Sequence, residues 1–174
     1  MTASEAPPDL VVSAAGHALW RGRRYRCAIG KGGIRADKRE GDGATPAGRY
    51  RLVRALYRPD RGPEPATVLP VAVTDPSDGW CDDPASADYN LQGRIPHAAS
   101  CETLWRDDGL YDLVVVTDHN ADPPVPGAGS AIFVHVARPD YGPTLGCVAF
   151  AIDDLREILS KWTAADRLVI PPPD

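Results

Sequence analysis

Apolar and polar positions alternate along much of this chain, and the alternating stretches are short. Residues 9–14, 17–20 and 24–29 follow a period of two and are separated by Gly16 and Gly22, which predicts an antiparallel meander. Further strands are expected at 48–57, 67–74, 113–117, 132–136, 146–150 and 167–170. Those at 113–117 and 132–136 are apolar almost throughout, as strands covered on both faces are. One segment changes period. Ile152, Leu155, Ile158, Leu159 and Trp162 recur at helical spacing, with Asp153 and Asp154 at the start and Lys161 in the last turn, where they complement the helix dipole. The reading is a single helix at about 152–162 whose apolar stripe packs on the sheet.

Residues 75–106 are the least strand-like part, broken by Asp82-Asp83-Pro84, Tyr89-Asn90 and Pro96. Long irregular segments in a compact domain tend to be functional, so this one is expected to form a lid or wall of a cleft. Trp80, Asp82, Asp83, Asn90 and Trp105 could each face a ligand there, with a structural role as the commoner alternative.

With 174 residues, of which 43% are hydrophobic and 25% charged, the composition is that of one ordinary globular unit able to bury most of its unfolded surface. The organisation expected is a flexible segment over 1–8, one domain over 9–170 and a Pro-rich tail over 171–174. No apolar run reaches the ~20 residues of a membrane helix, so no membrane span is expected. Residues 1–9 lack the basic start and apolar core of a signal peptide. A net charge of −5 argues against nucleic acid. Even so, Arg21, Arg23, Arg24, Arg26, Lys31, Arg35, Lys38 and Arg39 are eight of the 19 basic residues. Solvated strand faces are the plain reading, and a basic lip that attracts anionic peptides is the other.

Four cysteines allow three pairings. Cys27 alternates with Tyr25 and Ile29 as a small core residue would, whereas Cys81 and Cys101 could bridge in an oxidising compartment. A zinc site from Cys81, Cys101 and His97 lacks any Cys-x-x-Cys pairing, and no metal or other cofactor is expected. Cys147 stands apart. It follows Thr144-Leu145-Gly146 and opens an apolar run, twelve positions after His135 at the end of another. A nucleophilic cysteine needs a base to form the thiolate and N–H groups aimed at the oxyanion, and this pair with the Gly146 backbone could supply them. Of the remaining histidines, His17 and His97 read as surface residues. His119, at the end of a buried strand, could touch substrate or simply bond to the adjacent loop.

Histidine first and cysteine later is the reverse of the papain-like order. His135 followed by Thr144-Leu145-Gly146-Cys147 resembles the L,D-transpeptidase (YkuD-type) catalytic domain, whose signature is a strand histidine and then Ser/Thr-x-Gly-Cys. Thr45-Pro46-Ala47-Gly48 is similar to that family's Thr-Pro-x-Gly turn, and Asp118-His119-Asn120 with Gly127-Ala128-Gly129-Ser130 resembles a short branch found in Gram-negative bacteria. The likeness extends over residues 9–170. Two positions depart from it: Leu145 and Ala149 stand where many members carry a second histidine and an arginine.

The resemblance implies a mainly β fold, an L,D-transpeptidase-like β-sandwich of mixed sheets with the one helix. It also implies acyl transfer: Cys147 attacks the L-centred carbonyl of diaminopimelate in a peptidoglycan stem, D-alanine leaves, and an amine from a second stem resolves the thioester into a cross-link. In this reading His135 makes thiolate available near neutral pH and is oriented by a backbone carbonyl at 136–138, while the Gly146 and Cys147 amides hold the oxyanion. Thr144, His119 and Trp105 line the substrate site. Arg138 takes over the substrate carboxylate in place of the missing arginine, with Arg106 as the next choice. The expected partners are peptidoglycan stems as donor and acceptor, with carbapenem-type compounds as covalent inhibitors, and the protein is expected to be a monomer. A periplasmic or cell-envelope location follows from the family and a cytoplasmic one from the absent leader. A hydrolase on the same fold, L,D-carboxypeptidase or L,D-endopeptidase, and a wall-peptide binding module without chemistry are the alternatives.

Overall fold

The computed structural model describes residues 9–174; the segment 1–8, expected to be flexible, lies outside the described residues. Fifteen strands and one helix follow in chain order. The first seven strands are β1 (Asp9–Ser13), β2 (His17–Trp20), β3 (Arg23–Ala28), β4 (Ile34–Arg35), β5 (Thr45–Pro46), β6 (Gly48–Tyr50) and β7 (Leu52–Tyr57). Next come β8 (Val71–Val73), β9 (Asp78–Cys81), β10 (Gln92–Arg94), β11 (Cys101–Thr103), β12 (Leu113–Thr117), β13 (Phe133–Val136) and β14 (Val148–Phe150). Helix α1 (Ile152–Lys161) and β15 (Arg167–Ile170) close the chain, and Pro171 to Pro173 trail exposed beyond them.

Ten strands form one sheet in the order β6-β15-β1-β2-β3-β14-β13-β12-β7-β8. Its inner face and α1 share one core that includes Leu10, Trp20, Leu113, Val134, Val148, Phe150, Leu155, Ile158 and Leu159. Strands this far apart in the order can reach a single helix only if the sheet curls around it, as twisted sheets do. The helix keeps its predicted stripe, with Leu155, Ile158 and Leu159 buried, and carries Asp153 and Asp154 in the first turn and Lys161 in the last. Because side chains alternate along each strand, the other face of β12 and β13 carries Val114, Val116 and Phe133, which join Trp80, Leu110, Tyr111 and Cys147 in a second core. The helix therefore backs the sheet, and the second face is left for chemistry.

The chain departs from the sequence expectation in three places. The stretch 48–57 is two strands, because Arg51 turns aside to bond Asp118 and β6 and β7 then pair with different neighbours, β15 and β12. The strand expected over 67–74 shrinks to Val71–Val73, since Pro70 has no N–H to donate. Residues 75–106 are not an irregular lid. They contain the three-stranded sheet β10-β9-β11, whose strands hold only three or four residues and include Gly79 and Gly93. Their pairing comes from tertiary contact rather than from local preference, which is why periodicity does not reveal them.

Most of the basic run falls to the plain reading. Arg23 pairs with Asp154 and Glu157, Arg35 pairs with Asp37, Arg24 meets His17 and Arg26 lies over Tyr141. Arg21 belongs to a tighter arrangement around Asp166, whose side chain is fully buried. That carboxylate accepts bonds from Arg21 (3.0 and 3.1 Å), the Trp20 indole N–H (3.3 Å) and the Thr163 N–H and hydroxyl (2.6 and 2.8 Å). It ties the turn after α1 to the end of β2. Removing one partner of a buried charge network strands the rest, so Asp166→Ala should lower stability by about 3 kcal/mol in urea titrations. A change under about 0.5 kcal/mol would make the network incidental.

Candidate active site

Strand β13 runs parallel to β14, with Val134 opposite Val148 and His135 opposite Ala149. Cys147 sits just before β14 begins, so the register brings both side chains to the face away from α1. There they line one cleft of about 650 Å³. Its walls include Arg138 and Thr144 from the connecting loop, Lys31 and Lys38 from the segment after β3, and Asp82, Glu102, Arg106 and Tyr111 from the region around the small sheet.

The turn before Cys147 is held from three sides. Thr144 exchanges main-chain bonds with the β3 exit, through its N–H to Ile29 (2.9 Å) and its carbonyl from Lys31 (2.8 Å). Its hydroxyl donates to the Cys147 carbonyl (2.7 Å) and accepts from the Gly146 N–H (3.1 Å). Gly146 itself has φ +141° and lies against Ala44, so that a Cβ there would meet the Ala44 carbonyl at 2.8 Å. The Thr-Pro-x-Gly turn thus packs directly beneath the nucleophile turn, and only glycine fits between them. One expectation is corrected here. The Gly146 N–H is occupied by Thr144, whereas the Cys147 N–H has no protein acceptor among the described residues.

The electrostatics differ from a preformed ion pair. Cys147 is buried, and its thiol bonds to main chain, accepting from the Phe133 N–H (3.3 Å) and donating to the Ala131 carbonyl (3.2 Å). Burial, reinforced by the Glu102 carboxylate, pushes its pKa up to about 12. His135 bonds through Nδ1 to the Val136 carbonyl (2.9 Å), which lies within the 136–138 stretch expected to orient it. A carbonyl only accepts, so Nδ1 carries the proton and Nε2 is the basic nitrogen. Burial pushes the imidazole pKa down to about 4. Low dielectric disfavours charge on either group, so both shifts favour the neutral thiol and the neutral imidazole.

Arg138 faces the cleft and makes no ion pair among the described residues, and the same holds for Lys31. Lys38 is paired with Asp42, and Arg106 is clamped by Asp108 (3.1 and 2.6 Å). His119 bonds the Ala128 carbonyl (3.1 Å) and packs edge-on to Tyr50, and it is not among the residues lining the cleft. Arg58 covers the Trp105 ring at 3.4 Å, and Trp105 is likewise not among the lining residues.

Of the other loop candidates, Asp82 lines the cleft, with its Oδ1 buried and unpartnered. Asp83 accepts from Ala85 in its own turn. Trp80 and Asn90 work from behind: the Trp80 ring meets Phe133 edge-on, its N–H bonds Asn90, and Asn90 holds the Ala131 N–H (3.0 Å), next to the carbonyl that receives the Cys147 thiol. Sequence reasoning missed Glu102 and Tyr111. Tyr111 packs edge-on to His135 and donates its hydroxyl to Glu102, which burial holds above the usual carboxylate range. Their placement depends on the unforeseen β11 and on the turn into β12, and no local motif marks either residue.

The sequence model of the L,D-transpeptidase catalytic domain (YkuD) matches residues 9–170, nearly the whole chain. No curated protein and no solved structure matches it.

The buried imidazole has a measurable consequence. Its pKa is 6.5 in the unfolded chain and about 4 in the fold, so between those values the unfolded state binds more protons. The stability contributed by burying it neutral is present above about pH 6.5 and lost as the pH falls towards 4, an effect of about 3 kcal/mol. Urea titrations at about pH 7 and about pH 4.5 should show His135→Asn losing roughly 2–3 kcal/mol less than the wild type. Equal losses in the two proteins would mean that His135 is not held neutral.

Proposed function

Since this chain belongs to the L,D-transpeptidase (YkuD) catalytic domain family, we propose that it is a peptidoglycan L,D-transpeptidase that works through a Cys147 thioester. The observation that carries the reading is that Cys147, just before β14, and His135, on the adjacent parallel strand β13, line the same cleft.

The neutral resting pair sets the order of events. Nε2 of His135 accepts the Cys147 proton as Sγ bonds to the L-centred carbonyl carbon of the donor stem, so charge appears only as the bond forms. The Cys147 N–H, without a protein acceptor among the described residues, is the donor this reading assigns to the resulting oxyanion. Collapse breaks the amide bond, and the departing amine of D-alanine takes the proton from the imidazolium. An amine of a second stem then attacks the thioester, His135 removes its proton, and that proton returns to the Cys147 sulfur as the cross-link forms. Arg138 and Lys31, cations without internal partners, are placed to hold donor carboxylates. Such a substrate lies in the bacterial cell envelope, which is the location proposed for this activity.

Incubating the protein with purified stem tetrapeptides and reading products by mass spectrometry tests the reaction. Loss of D-alanine with appearance of a stem dimer is expected; a tripeptide alone would identify water as the acceptor and a hydrolase. Cys147→Ala should reduce turnover by on the order of 10⁴-fold or more, and an active Cys147→Ala protein would end the thioester reading. Arg138→Ala removes a contact made in ground and transition states alike. It should raise KM roughly tenfold to hundredfold with little change in kcat, and unchanged constants would pass the carboxylate to Lys31 or Arg106.

A further inference from the structure

Cys81, buried, and Cys101, half-buried, are not a chance pair of thiols. They occupy directly opposite positions in the antiparallel ladder of β9 and β11, flanked by Trp80 opposite Glu102 and Gly79 opposite Thr103. The hydrogen bonds around them identify the kind of pair. The N–H and carbonyl of Cys81 both turn to the other neighbouring segment, bonding Leu91 and Asn90 at 2.9 Å, while the Asp82 N–H reaches Ser100 across β11 (3.2 Å). This makes Cys81 and Cys101 a non-hydrogen-bonded pair, for which antiparallel geometry sets Cα atoms ~4.5 Å apart with the side chains leaning together. Bridged cysteines span ~4.4–6.8 Å between Cα atoms, so the strands already stand at bridging distance.

We propose that Cys81 and Cys101 form a cross-strand disulfide that clamps the small sheet beside the cleft whenever the chain matures in an oxidising thiol environment. Both thiols are free in this structure, and Cys101 is partly exposed to an oxidant. The pairing is unambiguous. Cys147 points into the cleft towards Ala131 and Phe133, and Cys27 lies in the core around α1 on the opposite face of the large sheet.

Alternation also determines what the bond does. Trp80 packs on Phe133 and Glu102 lines the cleft, so the cysteines between them project from the other face of the small sheet. There Gly79 presents no side chain, and a Cβ on it would lie 3.5 Å from that of Cys101. The bridge leaves the cleft open while fixing the strands that carry Asp82 and Glu102, each the residue after one cysteine.

The chemistry balances with glutathione disulfide as oxidant. One cysteine attacks it and releases one glutathione thiol, and the second cysteine displaces the other, so the protein loses two hydrogens and the oxidant gains them. Burial, with the Cys81 thiol beside it, holds the Cys101 pKa above the ordinary thiol value. A high-pKa thiol leaves a disulfide slowly, so the bond behaves as a staple rather than a fast switch.

The test equilibrates the full chain in glutathione buffers of graded oxidation, followed by peptide mapping without reduction and by thermal melting. The expected result is a single Cys81–Cys101 linked peptide, Cys27 and Cys147 alkylated as free thiols once the protein is denatured, and a melting midpoint about 5 °C or more higher in the oxidised protein. Cys101→Ser and Cys81→Ala, each melted under both conditions, should show no such rise. Four free thiols in the most oxidising buffer, or a mixture of bridges, would overturn the pairing. A single bridge without a rise in melting, or an equal rise in the single variants, would overturn the clamp. None of these readouts uses peptidoglycan, so the outcome is independent of the proposed reaction.

Discussion

The parallel pairing of β13 with β14 is the constraint on which the site depends. Parallel strands cannot be joined by a tight hairpin, and here the link is a short loop of eleven residues rather than a helix. Within that loop Thr144 bonds across to Ile29 and Lys31, which anchors the return to β14 on the exit of β3, the strand β14 pairs with next. The loop is therefore stitched to the sheet at the turn that carries Cys147. A one-residue slip of β14 would turn Cys147 towards α1 and Val148 towards the cleft, and the core packing of Val148 and Phe150 forbids it.

The same burial that fixes this register sets the chemistry. An imidazole and a thiol placed over a sheet packed on both faces lose solvent, and both respond by staying neutral. Glu102, close enough to oppose thiolate formation, sharpens that preference, and its own charge is held back by burial and tied up by Tyr111. A resting thiol held by the Ala131 carbonyl is protected from adventitious alkylation and oxidation, both of which require thiolate. Under the proposed reaction, activation belongs to the bound substrate, which displaces water and supplies the developing oxyanion for the Cys147 N–H.

The parts of this arrangement that were legible in the sequence are those with a local physical cause. The helix showed in the spacing of Leu155, Ile158 and Leu159, the central strands in their unbroken apolar runs, and the nucleophile turn in Thr144, Gly146 and Cys147 around a backbone conformation that needs glycine. What stayed hidden has a non-local cause. The strands β9, β10 and β11 exist because Trp80 anchors on Phe133 and Asn90 bonds Ala131, contacts spanning about forty to fifty residues. Glu102 and Tyr111 reach the cleft through that sheet, so no window of sequence around either could reveal them. His119 stands at the end of a buried strand, a common place for function, and its ring bonds the Ala128 carbonyl and packs on Tyr50.

Ala149, where many members of the family carry an arginine, follows from the packing around it. The residue is fully buried between Ala28 of β3 and His135 of β13 and lines the floor of the cleft with a methyl group. A guanidinium at this spot would stand beside the His135 imidazole, and in a dry site that repulsion would push the His135 pKa still lower. Moving the cation outward relieves the conflict. Arg138 and Lys31 stand on the cleft wall, near enough to meet a carboxylate and free of internal partners. Arg106 is close enough to depress the imidazole pKa, but its charge is already bonded to Asp108. The floor at Ala149 is thus small and neutral, and the cations without ion-pair partners among the described residues, Arg138 and Lys31, stand on the walls outside the strand that carries the imidazole.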